Sequence, residues 1–321
     1  VLDENKLPEG IVWTMPIVLP VKKQIADTLS VGERIKLVSD RGQEHSILDL
    51  TEIFPYELDT ISEKWFGTSS LDHPGVEQLA KKGEYFLSGS IKLIYPLPHT
   101  HNRYEMTPSL CRFVFTRKGW HHVVGFHTRN VSHRVHEYIQ LEALKKTNAD
   151  GLFINPVLGG KKPGDFLSVP IMKSYQLLLE SGIYPEGQVV LGSFSTYSRY
   201  CGPREAVFTA LCRKNMGCDY FIIGRDHTGV GNFYESEGNR RLFESVGELG
   251  INPVYFDSIG FDQKKQQYIP LSSSNQLETI NATRFREAIL KQEIVPDWFV
   301  RKPIQELLFS ELNMGREIFH G

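Results

Sequence analysis

Four short apolar runs, His122–Phe126, Gly151–Ile154, Gln188–Gly192 and Asp219–Ile223, recur through the middle of this 321-residue chain. Apolar runs of this length without polar alternation are the pattern of strands buried on both faces. Helical stretches separate them. One runs from Ser132, a plausible N-cap, to about Lys146, with Val135, Ile139 and Ala143 as its apolar stripe. A second runs from about Pro170 to Glu180, and a third opens at Pro203, a residue favoured at the first helical position because it has no N–H to leave unpaired. Such alternation predicts right-handed crossovers and a parallel sheet sandwiched by helices. Ligands of a sheet of this kind gather at the carboxyl ends of the strands. The loops that follow the runs are therefore expected to converge: His127–His136, Asn155–Asp165, Ser198–Glu205 and Gly224–Gly229.

The flanks read differently. From about Trp13 to Phe115 short β-like runs, Ile17–Val21, Arg34–Val38 and Ser90–Tyr95, predict a mainly β accessory domain. From about Pro253 the pattern is a small α+β lobe with a final helix near Pro303 to Leu312. The expected division is 1–117, 118–252 and 253–321. Lys and Arg number 36 against 38 Asp and Glu, so no global charge favours nucleic acid or a membrane surface, and any anion site is local. No stretch approaches the roughly 20 apolar residues of a membrane helix. Cys111, Cys201, Cys212 and Cys218 form no C-x-x-C pair, which fits free thiols and a cytoplasmic protein. The opening Val1-Leu-Asp-Glu-Asn lacks signal-peptide features and does not begin with Met, as in a trimmed chain.

The polar loops carry the chemistry. His133 and His136, three residues apart at a helix start, place two rings on one face beside unpaired backbone N–H groups, a cradle for phosphate. An isolated His-x-x-His is more often a capping or solvated pair; the preceding strand and Thr128-Arg129-Asn130 reverse that balance. A metal reading is weaker, because no pattern supplies further ligands. Arg129 suits an oxyanion clamp, since a guanidinium donates two parallel hydrogen bonds and stays charged. Gly224 would let backbone approach a nucleotide, with Arg225 as a second cation or as a structural partner of Asp226. Arg199 is either a further cation or a partner of Glu205, and Lys161 and Lys162 read as mobile surface charges.

The segment His127-Thr-Arg-Asn-Val-Ser-His-Arg-Val-His136 resembles the Gln-Thr-Arg-Asn-Pro-x-His-x-(Gly/Ala)-His motif of the sulfate adenylyltransferases, or ATP sulfurylases. The similarity continues through Gly202-Pro-Arg-Glu-Ala206, Arg213-Lys-Asn-Met-Gly-Cys218 and Gly224-Arg-Asp-His-Thr-Gly229, and upstream to Phe66-Gly-Thr and His73-Pro-Gly-Val76. It implies an α/β fold: a Rossmann-like nucleotidyltransferase domain, a mainly β, PUA-like amino-terminal domain that is shorter here than in the family, and a small α+β carboxyl-terminal lobe. The implied reaction is adenylyl transfer from Mg2+-ATP to sulfate, giving adenosine 5′-phosphosulfate and pyrophosphate by in-line attack on the α-phosphorus. Arg129, Asn130, His133, His136 and Arg225 would be catalytic. The oxyanion would be read by His127, Arg129, Arg225 and the backbone of Thr228. ATP would meet Thr128, Asn130, His133, His136, Gly224, Asp226 and His227. Phosphate oxygens close to the imidazoles should raise their pKa values. Magnesium would arrive with ATP, no resident metal site is expected, and a homo-oligomer is compatible with the pattern.

The departures from the motif bear on the acceptor. His127 replaces an amide, and its ring donates only in the right tautomer or when protonated. Val131 replaces a proline, Val135 a small residue where it would crowd adenine unless turned into the core, and Thr228 an alanine. Ile280-Asn-Ala-Thr-Arg-Phe-Arg286 stands where the family has Ile-Ser-Gly-Thr before an Arg, with Thr283 and Arg286 at the helix entry. The G-x-x-x-x-G-K-[ST] loop of fused adenylylsulfate kinases is absent, so no kinase activity is expected. Two alternatives stay open at this point: the same chemistry on another oxyanion or a phosphonate, and a non-catalytic nucleotide-binding homologue.

Overall fold

The computed structural model describes every residue except 40–41, 97–100, 226, 274–275 and 280–281; of residues 102 and 282 it describes the backbone only. The chain divides into two compact units, Val1–Asn102 with Arg199–Glu205 and Thr228–Glu235, and Arg103–Ser198 with Ala206–His227 and Ser236–Gly321.

In the first unit β1 (Leu19–Val21), β2 (Arg34–Val38), β3 (Glu44–Pro55) and β4 (Tyr85–Leu93) form an antiparallel sheet in the order β1-β4-β3-β2. Alternate residues of β2 are half-buried and exposed, and Leu48, Leu50 and Leu87 are the buried centre on which Ile35 and Leu37 pack. A short α1 (Lys23–Ala26) follows β1, and two helices the β-like reading did not anticipate, α2 (Leu58–Phe66) and α3 (Pro74–Lys82), join β3 to β4. The α3 start combines Pro74 at the first turn with a histidine cap, Nδ1 of His73 accepting from Gly75 N at 3.1 Å.

The second unit holds the parallel sheet. Its strands are β5 (Val123–Phe126), β6 (Gly151–Ile154), β7 (Val189–Leu191), β8 (Tyr220–Ile223) and β9 (Asn252–Tyr255), in the order β7-β6-β5-β8-β9, all neighbours parallel. The helices are α4 (Pro108–Arg117), α5 (Arg134–Thr147), α6 (Ser168–Glu180), α7 (Pro203–Met216, whose first residues belong to the first unit), α8 (Gly238–Val246), α9 (Ala282–Leu290) and α10 (Lys302–Asn313), and β10 (Ile259–Asp262) pairs with β11 (Gln267–Pro270) as a hairpin. Every residue of β5 and β6 is buried, which is why both read as unbroken apolar runs. Gly151 opens β6 because Trp120 packs onto it: a Cβ there would lie 2.3 Å from the indole ring. The core joins Val124, Leu152 and Ile222 of the sheet to Ile139 and Ala143 of α5, Ile171 and Leu178 of α6, and Ile304 and Leu308 of α10.

Two details differ from the sequence reading. The expected break at 252/253 falls inside β9, whose Val254 and Tyr255 still pair with β8. The N-cap of α5 is His133 rather than Ser132: His133 keeps extended dihedrals and its Nδ1 accepts from His136 N at 3.3 Å. Ser132 lies one residue too early, fully buried, with its own N–H donated to Ser174 Oγ.

Candidate active site

The segment after β5 is fixed by the sheet before it becomes a helix. Val157 N donates to Thr128 O, extending the β5–β6 ladder, and Asn130 N donates to Thr128 Oγ1 at 3.1 Å, turning the chain toward α5. Thr128 is thereby buried and committed to the turn. At the helix start the rings of His133 and His136 stack at 3.6 Å, inclined by 22°, and His136 Nδ1 lies 3.3 Å from the Tyr175 hydroxyl. Burial pulls the His133 pKa down to about 4 and, with the neighbouring ring, that of His136 well below its ordinary value. Burial acts in the direction opposite to the shift expected from phosphate: desolvation disfavours the charged form of both rings, which are neutral at pH 7. Because His133 Nδ1 accepts the capping hydrogen bond, its proton resides on Nε2, which leaves a neutral N–H donor.

Asn130, His133, Arg225 and Arg286 supply polar walls to a cavity of about 410 Å³, in the range of small-molecule sites. Val135, Phe166, Ile259, Leu271 and Phe285 supply apolar ones. Val135 packs against the hydrophobic core while forming part of this wall, so it does not plug the space. Arg225 follows Gly224 at the end of β8 and is exposed, with its carbonyl accepting from Asn239 Nδ2 at 3.3 Å. Nothing lies within 4 Å of a Cβ built on Gly224, so the backbone there is open to approach. Asp226 lies outside the described residues.

Arg129 Nε stands 3.6 Å from Asp165 Oδ2, and Arg286 Nη2 is 2.8 Å from Asp165 Oδ1. His127 and His227 approach with ring centroids 5.4 Å apart. Burial, then the charge of Arg213, holds the His127 pKa well below its usual value and that of His227 at about 3. His127 Nδ1 is buried without a partner among the described residues, whereas His227 Nε2 lies 3.4 Å from Thr209 Oγ1. Thr228 belongs to the first unit, where it adopts φ 57° and its Oγ1 donates to Gly202 O. In that unit Arg199 is buried, and Glu205 accepts from its backbone N at 3.0 Å.

Some assignments change. Lys161 is buried rather than mobile, and desolvation lowers its pKa to about 8. Lys162 sits 3.7 Å from Asp165. Sequence reasoning gave Arg286 no chemistry, although it is a cation of the cavity wall, and quoted Arg213 within a motif without assigning it a role; Arg213 is fully buried. The Arg213 guanidinium donates to Asn155 O at 2.7 Å and lies 4.2 Å from the Phe194 ring centroid. A signal for Arg286 existed in the Thr283–Arg286 spacing, and one for Arg213 in its place at the start of the Arg213–Cys218 motif.

Neutral imidazole donors and guanidiniums around a cavity at the carboxyl edge of a parallel sheet are the equipment of an enzyme that handles a phosphorylated nucleotide. The comparisons make this specific. The family model described as ATP-sulfurylase matches residues 102–311, and that described as a PUA-like domain matches residues 1–96. The sulfate adenylyltransferase of Symbiobacterium thermophilum is 37% identical over 319 residues, covering 98% of this chain and 80% of that protein. The sulfate adenylyltransferase of Pyrococcus abyssi is 37% identical over 315 residues, covering 97% and 81%. Among solved structures, a hexameric APS kinase from Thiobacillus denitrificans superposes with a TM-score of 0.74 over 96% of this chain and 55% of that one, at 17% identity, a likeness of fold alone. The chain belongs to the ATP-sulfurylase family. It is a nucleotidyltransferase with a mixed α/β fold and a PUA-like amino-terminal domain.

Proposed function

We propose that this protein transfers the adenylyl group of ATP to sulfate, with Asn130, His133 and Arg225 around one cavity as the observation that carries the reading. A sulfate oxygen bonds to the α-phosphorus while the bond to the bridging oxygen breaks, and pyrophosphate departs. No protein nucleophile is needed; the difficulty is bringing two anions together and stabilising the leaving group, which positioning and positive charge address. Arg129 and Arg225, with His127, hold sulfate. Thr128, Asn130, Gly224 and His227 border the nucleotide, whose base is suited to the wall of Val135, Phe166 and Phe285. His133 Nε2–H and the His136 ring face the phosphates, and charge growing on the departing pyrophosphate draws their pKa values upward from the low values set by burial.

Magnesium arriving with ATP would be held by its phosphates and water and would neutralise charge there. The catalytic domain is Rossmann-like, in keeping with its strand order, and the chain divides into the PUA-like region, this domain and a small α+β lobe, with the boundary expected at 117/118 drawn back before α4 and that at 252/253 moved past β9. No described helix is long and apolar enough to cross a membrane. A cytoplasmic location and a homo-oligomer fit a metabolic enzyme of this family. Pyrophosphate release with sulfate and a panel of other oxyanions and phosphonates tests the assignment. Release that depends on sulfate is expected; sulfate performing no better than buffer would overturn it.

A further inference from the structure

Asp165 ends the glycine-containing loop after β6, and its side chain is 1% exposed. A carboxylate taken out of water is costly unless cations and hydrogen bonds compensate it. Arg286 on α9 makes the tight contact, 2.8 Å to Oδ1; Lys162 approaches the same oxygen at 3.7 Å; Arg129 lies 3.6 Å from Oδ2. The backbone at this point is pinned from two sides, Asp165 N donating to Lys162 O at 3.2 Å and Asp165 O accepting from His320 N at 2.8 Å. Gly164 N donates to His320 O at 2.8 Å, and Phe166, the next residue, walls the cavity. The carboxylate is therefore a fixed point, and the long arginine side chains are what it locates.

The two arginine contacts are unequal. Arg286 closes a short hydrogen-bonded pair, whereas Arg129 approaches through Nε at a distance beyond a hydrogen bond. The carboxylate thus bears on the orientation of the Arg129 guanidinium through charge.

We propose that Asp165 is the positioning residue of the oxyanion subsite: anchored by Arg286 and Lys162, it orients Arg129 for a tetrahedral dianion. The inference rests on the reading of Arg129 as the sulfate clamp. Asp165 touches neither reactant, so its removal weakens sulfate capture through Arg129 and leaves nucleotide binding nearly unchanged.

Initial-rate kinetics of the full chain in both substrates test this. Asp165→Asn is expected to raise the sulfate KM about tenfold or more while the ATP KM moves less than about threefold, and Asp165→Glu, which keeps the charge, to recover part of the loss. In an Arg129→Ala background, Asp165→Asn should add less than about twofold to the sulfate KM, because the residue through which it acts is gone. Equal changes in both KM values, or an undiminished Asp165→Asn effect without Arg129, overturns the proposal while the clamp reading stands. An Arg129→Ala enzyme with unchanged sulfate KM overturns the clamp reading itself. Should Asp165→Asn not fold, Asp165→Glu alone decides: a sulfate KM raised about threefold at constant ATP KM supports the role, and an unchanged sulfate KM refutes it.

Discussion

Replacing Arg129 with alanine separates chemistry from stability. The side chain is 21% exposed, and its 3.6 Å approach to the buried Asp165 carboxylate is too long for a hydrogen bond and is worth about 1 kcal/mol. The buried carboxylate keeps its 2.8 Å partner Arg286. The melting temperature should therefore fall by no more than about 2–4 °C. In the proposed reaction the same guanidinium acts differently, as a preorganised donor to an oxyanion whose loss would cost about 2.7–4 kcal/mol of transition-state stabilisation, a factor of roughly 10²–10³. Sulfate-dependent pyrophosphate release, measured beside a thermal melt by circular dichroism, reads both quantities on one preparation. A turnover loss below about fivefold in a folded variant would refute the clamp, and a collapse of the melting temperature would refute the view that Asp165 is anchored mainly by Arg286.

Other outcomes follow from the same geometry. Burial holds His133 at about 4 and His227 at about 3 in the folded protein, with His127 and His136 also lowered, against about 6.5 when unfolded. Between those values the unfolded chain binds protons that the folded one does not. Stability is thus complete above about pH 7 and declines as pH falls from about 6.5 toward 4, by at most about 1.4 kcal/mol per pH unit for each imidazole; urea titrations that are flat across this range contradict the burial. His127→Gln supplies an amide donor independent of tautomer, so the sulfate KM should fall severalfold; no change in kinetics would mean that His127 does not read the acceptor. Gly151→Ala sets a methyl against the Trp120 ring at 2.3 Å and should cost about 1–3 kcal/mol in chemical denaturation, and a neutral result would show that the indole moves freely.

The sheet was legible where the physics is local. Buried parallel strands such as β5 and β6 need apolar side chains on both faces and therefore announce themselves. The β9 strand did not, because Asn252-Pro-Val-Tyr carries a proline, which an edge strand tolerates and a central one does not. The cap of α5 was misplaced by one residue because serine is a common cap and histidine is not, although His73 and His133 both serve here. Arg129, His133, His136 and Arg225 of the candidate site stand out by their motif spacing, whereas the salt bridge between Asp165 and Arg286 spans 121 residues and no periodicity couples its ends. Phe166 and Phe285 reach the cavity from separate elements for the same reason. The protonation of the histidines was illegible in principle, since it follows from how much protein surrounds each ring rather than from its neighbours in sequence.

The most direct test of the account is a crystal structure of the full chain with adenosine 5′-phosphosulfate bound. The nucleotide is predicted in the cavity beside Asn130, His133 and Arg225, with the sulfate group within hydrogen-bonding reach of the Arg129 guanidinium. Product density elsewhere, or a sulfate group turned away from Arg129, would contradict it.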